Sequence, residues 1–207
     1  MIKLALCDFD GTLTKVDVLD CICDYYGHGN ESRIINEAFI KGEVDGATAL
    51  KRRFSLIVGA KIAEIEDNVL RHIPLTDGAK EFFQFARRNR IRSVIISGNA
   101  QFVLDYYQKV LGFDEYYCSL LNVSEGIVMP WDDSTCQCVR KDDAVRRVMD
   151  VGKYTKADTI AIGDAPVDEI MFSSARQSYL INSKGYSTIA KPISSMSDII
   201  HLMDKEH

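Results

Sequence analysis

No apolar run among these 207 residues approaches the length of a membrane span, and the first residues lack the basic, apolar, small-residue succession of a secretory signal. The expectation is a soluble, cytoplasmic protein. Positive charge is also in short supply. Lys and Arg number 25 against 30 Asp and Glu, a net charge of −5 that argues against a general nucleic-acid binder or a protein that coats anionic membranes. A local basic pocket remains compatible with that balance. Internal repeats and low-complexity segments are missing. The six cysteines (Cys7, Cys21, Cys23, Cys118, Cys136 and Cys138) lack the gap of about two to four residues usual in zinc sites. Their two Cys-x-Cys pairs invite a four-thiolate site, yet Cys21 and Cys23 lie in a helical pattern, where positions i and i+2 diverge. Free, partly buried thiols are the expectation.

What is present suits one globular domain or a domain with a modest insertion, since 46% of residues are hydrophobic and 27% charged. Residues 2–7 form a short apolar run, read as a strand buried on both faces. It breaks into Asp8-Phe9-Asp10-Gly11-Thr12. Four stretches of helical apolar spacing follow: 16–26, 31–41, a third capped by Asp45 and closed by Gly59, and 62–72. With no strand pattern between them, they read as a small helical bundle over 15–73, inserted after the first strand. From Pro74 onward helix and strand alternate. A helix is expected to about Asn89, a strand over 91–97 broken by Gly98-Asn99, and a helix from Ala100 ending at Gly112. A hairpin is expected over 116–129 around Glu125-Gly126, then a helix over 141–151, a strand over 158–162, a helix to Ala175 and a strand over 178–181. The predicted fold is α/β, a Rossmann-like parallel sheet covered by helices, with residues 1–14 and 74–207 forming the core domain.

Three of these strands run into polar turns: Asp8 and Asp10, then Ser97-Gly98-Asn99, then Asp164 and Asp168. In an open parallel sheet such turns gather at the carboxyl ends of the strands, where ligands bind. Each aspartate alone is an ordinary turn or cap residue; the conjunction carries the signal. Four carboxylates brought together repel strongly without a cation, and the one suited to carboxylate and phosphate oxygens is Mg2+. With Lys141 and the amides near Ser97-Gly98, it would make the crevice attractive to phosphate. Lys141 by itself also fits a solvated helix position beside Asp142 and Asp143.

Asp8-Phe9-Asp10-Gly11-Thr12, Ser97-Gly98, Lys141 and Gly163-Asp164 with Asp168 occur in the order of the four motifs of the haloacid dehalogenase superfamily of phosphatases, which this chain resembles. The helical insertion is similar to the cap of its phosphoserine phosphatase branch. The resemblance implies that Asp8 is the nucleophile and that Asp10 protonates the leaving oxygen and then activates water. It further implies that Thr12 supports the loop and that Ser97, Gly98 and Lys141 hold phosphate oxygens. Asp8, Asp164 and the backbone carbonyl of Asp10 would bind Mg2+, with Asp168 supporting that site or Lys141. In the cap, Arg53 falls where the branch grips a substrate carboxylate, and Asp17 where a glutamate meets the substrate ammonium. A surface arginine in the Lys51-Arg52-Arg53 run is the bland alternative. Val167, Gly46 and Asn99 depart from the branch pattern, at an asparagine, a bulky apolar residue and a second glycine.

The resulting expectation is a phosphomonoesterase that acts on a small phosphorylated metabolite, phosphoserine first, with no nucleic-acid or membrane partner. Monomer and homodimer stay open. A keto-enol phosphate phosphatase of methionine salvage is the runner-up, on a loose likeness of the cysteine-containing stretch 131–141. A receiver-like module and a catalytically inactive phosphate binder are the alternatives of another class.

Overall fold

The computed structural model describes residues 1–183 and 189–204. Chain order gives β1 (Leu4–Cys7), α1 (Val18–Tyr25), α2 (Gly29–Ile40), α3 (Gly46–Ser55), α4 (Ile62–Asn68), α5 (Ala79–Arg88), β2 (Arg92–Ala100), α6 (Gln101–Leu111) and β3 (Glu115–Ser119). Then come β4 (Val123–Ser124), β5 (Ile127–Val128), α7 (Lys141–Gly152), β6 (Thr159–Gly163), α8 (Glu169–Ser173), β7 (Gln177–Leu180), β8 (Lys191–Pro192) and α9 (Met196–Asp204).

Among the described residues six strands make one parallel sheet in the order β3-β2-β1-β6-β7-β8. β1 is central and fully buried, and the alternation of its side chains serves two layers. Ala5 and Cys7 face an apolar cluster with Phe82 and Phe83 of α5, Val103 and Leu104 of α6 and Ile199 of α9. Leu4 and Leu6 face a second cluster with Val145 and Val148 of α7 and Met171 and Phe172 of α8. A run apolar at every position is what a strand needs when helices cover both faces. The chain leaves β1 on one side towards β2 and β3, then returns to pair β6 on the other, so the reversal of strand order lies beside β1. That is where ligands sit in open parallel sheets.

The four helices α1–α4 stand between β1 and α5. Asp17 caps α1 by accepting the Asp20 N–H at 2.9 Å, and Asp45 caps α3 by accepting the Thr48 N–H at 3.0 Å. The two passages that join these helices to the sheet run side by side. Lys15 N–H donates to the Pro74 carbonyl at 2.9 Å, Thr76 N–H to the Leu13 carbonyl at 2.9 Å, and Thr14 bridges Leu75.

Three expectations need correction. The stretch 116–129 is not one hairpin: its first part is β3, an edge strand parallel to β2, and only β4 and β5 pair antiparallel around Glu125-Gly126. Apolar alternation marks a half-covered strand but says nothing of its partner. Gly98-Asn99 does not end β2; the strand continues to Ala100 with a shift in register between Ile96 and Ala100. The fourth helix stops at Asn68, and a 3-10 turn over Leu70–His72 completes the stretch.

Candidate active site

Register brings the polar turns together. Cys7 lies level with Ile95 on one side and Ile162 on the other, so the residues that follow each strand emerge at one edge. Asp8 N–H still donates to the Ile162 carbonyl at 3.0 Å, which holds the start of the turn in the sheet. The chain then wraps around the Phe9 carbonyl, which accepts the Thr12, Leu13 and Thr14 N–H groups. Gly11 makes the turn with φ +79°, and a Cβ there would stand 2.3 Å from Asp164 Oδ2. Glycine therefore serves both the left-handed backbone and the close approach of a carboxylate. At Gly163 only the close approach applies, since a Cβ there would stand 2.4 Å from Asp168 Oδ2.

Lys141, the first residue of α7, donates from Nζ to Asp8 Oδ1 and, at 2.6 Å, to Asp168 Oδ1. Asp168 is completely buried, and its other oxygen accepts the Asp164 and Ala165 N–H groups, each at 3.0 Å. Thr12 Oγ1 lies 3.0 Å from Asp164 Oδ1 and 3.3 Å from Asp8 Oδ2. One lysine thus faces three carboxylates, those of Asp8, Asp164 and Asp168, whose oxygens lie within 4.8 Å of one another. Burial pushes the Asp8 carboxyl up to about 6 against the pull of Lys141, with Asp168 adding to the rise. Burial, then the charges of Asp8 and Asp168, push Asp164 up to about 8. Burial works against the Lys141 charge, but Asp8 and Asp168 outweigh it and hold its pKa above the usual lysine range. Among the described residues the cluster is short of positive charge. Three hard oxygen donors with excess negative charge fit a divalent cation such as Mg2+ better than a soft metal. All six cysteines are free, and among the described residues none joins a metal-binding group.

The Asp10 side chain turns away from this trio. Its Oδ1 accepts the Val18 N–H of α1 at 2.8 Å, and both oxygens lie 3.0 Å from Asn99 Nδ2. Ser97 Oγ lies 3.4 Å from Oδ2 and itself accepts the Asn99 N–H at 3.0 Å. Burial, followed by the charge of Asp17, pushes the Asp10 carboxyl up to about 8. Gly98 lies under α3: a Cβ there would meet Leu50 Cδ1 at 3.3 Å.

Arg53 and Asp17 meet, but with each other. Arg53 Nη2 donates to Asp17 Oδ1 at 2.7 Å and to Asp20 Oδ1 at 2.9 Å, while Nε donates to Ser32 Oγ at 2.9 Å. Ser32 in turn donates to Asp20 at 2.6 Å. Arg53 is buried, not a surface member of a basic run. Burial opposes its charge, yet Asp17 and Asp20 raise its pKa. Asp20 and Ser32 were not singled out from the sequence; the signal available was Asp20 one helical turn from Asp17. Asn182, also unanticipated, donates from Nδ2 to the Gly11 carbonyl at 2.9 Å and to Thr76 Oγ1 at 2.8 Å, bracing the Asp8 turn. Among the described residues no helix is long and apolar enough to cross a membrane.

Known proteins share the sequence pattern and the fold of this chain. A family model described as haloacid dehalogenase-like hydrolase matches residues 5–172. The phosphoserine phosphatase of Wolinella succinogenes is 28% identical over 182 residues, 84% of this chain and 85% of that protein. That of a Polaromonas species is 26% identical over 88% of this chain and 80% of its own. Among solved structures, a phospho-aspartyl intermediate analogue of phosphoserine phosphatase superposes with a TM-score of 0.82 at 22% identity, covering 97% of this chain and 98% of that one.

Proposed function

Because the chain belongs to the haloacid dehalogenase-like hydrolase family, we propose that it hydrolyses a small phosphomonoester, phosphoserine first, through a phosphoryl group carried on Asp8. The observation that carries this is the buried Asp8 carboxylate held by Lys141 opposite Asp164 and Asp168, with Asp10 two residues further on. A carboxylate oxygen of Asp8 attacks phosphorus and the bond to the substrate oxygen breaks, while Asp10 gives that oxygen a proton. Water then attacks the phosphorus of the acyl phosphate. Asp10 takes the water proton, the bond to Asp8 breaks, and phosphate leaves. Ser97, the Gly98 amide and Lys141 steady the phosphoryl oxygens, and Thr12 braces Asp8 and Asp164. Asp8, Asp164 and the Asp10 carbonyl would hold Mg2+, with Asp168 behind them. That ion supplies the neutralisation without which an anionic nucleophile and an anionic phosphate repel.

Residues 15–73 form a cap in this proposal, and 1–14 with 74–207 form the core. Arg53 would grip the substrate carboxylate by exchanging its bond to Asp17, which then turns to the substrate ammonium. Asp17 is suited to that exchange because it is about a quarter exposed, whereas the Arg53 side chain is only 6% exposed.

The test is phosphate release from a panel of phosphorylated metabolites with Mg2+, wild type against Asp8→Asn. Release by wild type alone supports the enzyme; no release above the variant overturns it. A low rank for phosphoserine, with release from other esters, removes only the substrate assignment.

A further inference from the structure

The Asp10 carboxylate is held by a side chain that the family pattern does not anticipate. Asn99 is 2% exposed and follows Gly98 within the register shift of β2. Its amide is fixed at both ends. Oδ1 accepts the Ala100 N–H at 2.8 Å, so the opposite end, Nδ2, presents its hydrogens to Asp10, with both carboxylate oxygens at 3.0 Å. A flipped amide would lose the Ala100 bond and set its oxygen against the Asp10 carboxylate oxygens, a buried mismatch.

The donors around Asp10 are unequal. Oδ1 receives the Val18 N–H at 2.8 Å as well as Asn99, whereas Oδ2 receives Asn99 and only a long 3.4 Å approach of Ser97 Oγ. An oxygen that accepts two N–H groups has little room for its own hydrogen. When Asp10 is protonated, the hydrogen is therefore carried on Oδ2. The Asn99 oxygen is turned to the Ala100 N–H, at the end of the amide opposite Asp10, so it does not draw that hydrogen inward.

We propose that Asn99 is a positioning residue, which holds the Asp10 carboxyl in the one orientation that presents Oδ2–H to the leaving oxygen of the substrate. The proposal rests on the reading of Asp10 as proton donor in phosphoryl transfer. No new chemistry is added: the hydrogen of Oδ2 passes to the departing oxygen as its bond to phosphorus breaks, and Asp10 is left anionic, where the Asn99 and Val18 N–H groups stabilise it.

The experiment compares two esters that differ in their need for that proton. Nitrophenyl phosphate releases a stable phenolate, whereas an alkyl phosphate such as phosphoserine must release an alkoxide unless that oxygen is protonated. The readout is kcat/KM, which reports the first phosphoryl transfer, for wild type, Asn99→Leu and Asn99→Ser, the last keeping a donor should the leucine fail to fold. Expected is a loss of about 30-fold or more on the alkyl ester against about threefold or less on nitrophenyl phosphate, a large part of the roughly 100-fold or more that a general acid supplies. In the Asp10→Asn background, Asn99→Leu should add no further loss on the alkyl ester. Equal losses on both esters, or a full extra loss in the Asp10→Asn background, overturn the positioning role and leave the phosphatase reading intact. If wild type cleaves neither ester nor any other phosphomonoester, it is the phosphatase reading that fails.

Discussion

Two buried clusters in this protein share one plan, a single cation between two carboxylates, and differ in what is left over. In the first, Lys141 bridges Asp8 and Asp168 at the sheet edge. In the second, Arg53 bridges Asp17 and Asp20 among the inserted helices. The lysine is a compact charge, and a third carboxylate, Asp164, stands beside it with no ion-pair partner of its own among the described residues. The arginine spreads its donors over three partners drawn from two helices and a cap residue, with Ser32 closing the ring. The first cluster is left short of charge and suits an incoming ion and phosphate. The second is self-contained and ties α1, α2 and α3 together. Asp10 lies between them, bonded to the first residue of α1 on one side and to Asn99 on the other.

If the first cluster is chemical and the second chiefly binds and organises, their variants should fail differently. The largest expected effect is on the chemical side. Asp8→Asn should lower phosphate release at least about a thousandfold with little change in thermal stability, since the amide keeps the shape and removes the nucleophile. Substantial residual turnover would break the contrast. Next comes Arg53→Ala, which strands Asp17 and Asp20. Breaking a buried pair by removing one partner costs up to about 3–5 kcal/mol, and the partial exposure of both aspartates places this one at about 2–3 kcal/mol by denaturant titration. Its kcat/KM should fall more for phosphoserine than for nitrophenyl phosphate, which has no carboxylate. Equal falls would remove the substrate role and leave only the structural one.

Gly11→Ala should cost about 1–3 kcal/mol, because an alanine at φ +79° is strained and its Cβ displaces Asp164. The same change at Gly42, also at positive φ but with nothing near its Cβ, should cost less. Similar losses would mean that backbone strain alone decides, not the crowding at Asp164.

The smallest effect is one of pH. In the metal-free protein Asp8 is raised to about 6, and Asp10 and Asp164 to about 8, mainly by burial. A carboxyl whose folded pKa lies above its unfolded value binds its proton more tightly when folded. Stability is therefore lost as pH climbs from about 4 through 8. Thermal unfolding without metal should show a higher midpoint at pH 6 than at pH 8, and the stabilisation by added Mg2+ should grow towards pH 8 as protons cease to compete. A midpoint that rises with pH without metal would contradict the charge shortage of the first cluster.

The first cluster was the more legible of the two in the sequence. Asp8, Ser97 and Asp164 each end an apolar run, and parallel pairing makes the ends of neighbouring strands meet, so their convergence follows from order alone. Lys141 was legible only through its place among the motifs, because a lysine beside two aspartates is otherwise an ordinary surface residue. The second cluster was hidden. Arg53, Asp17 and Asp20 come from helices whose mutual packing no spacing rule dictates, so two expected substrate contacts turned out to pair with each other. β3 escaped because apolar alternation does not reveal which strand lies alongside. Asn99 was visible as a departure from a glycine, but its bond to Asp10 depends on a shift in register that carries β2 through the predicted break to Ala100.

The central claim, that the Lys141 cluster passes a phosphoryl group through Asp8, is tested most directly by trapping. Wild type mixed with phosphoserine and Mg2+, quenched in acid within the first turnovers and digested, should yield the Asp8-containing peptide carrying one phosphoryl group by mass spectrometry. The label should disappear once substrate is consumed. Phosphate release at full rate with that peptide never modified would contradict the account.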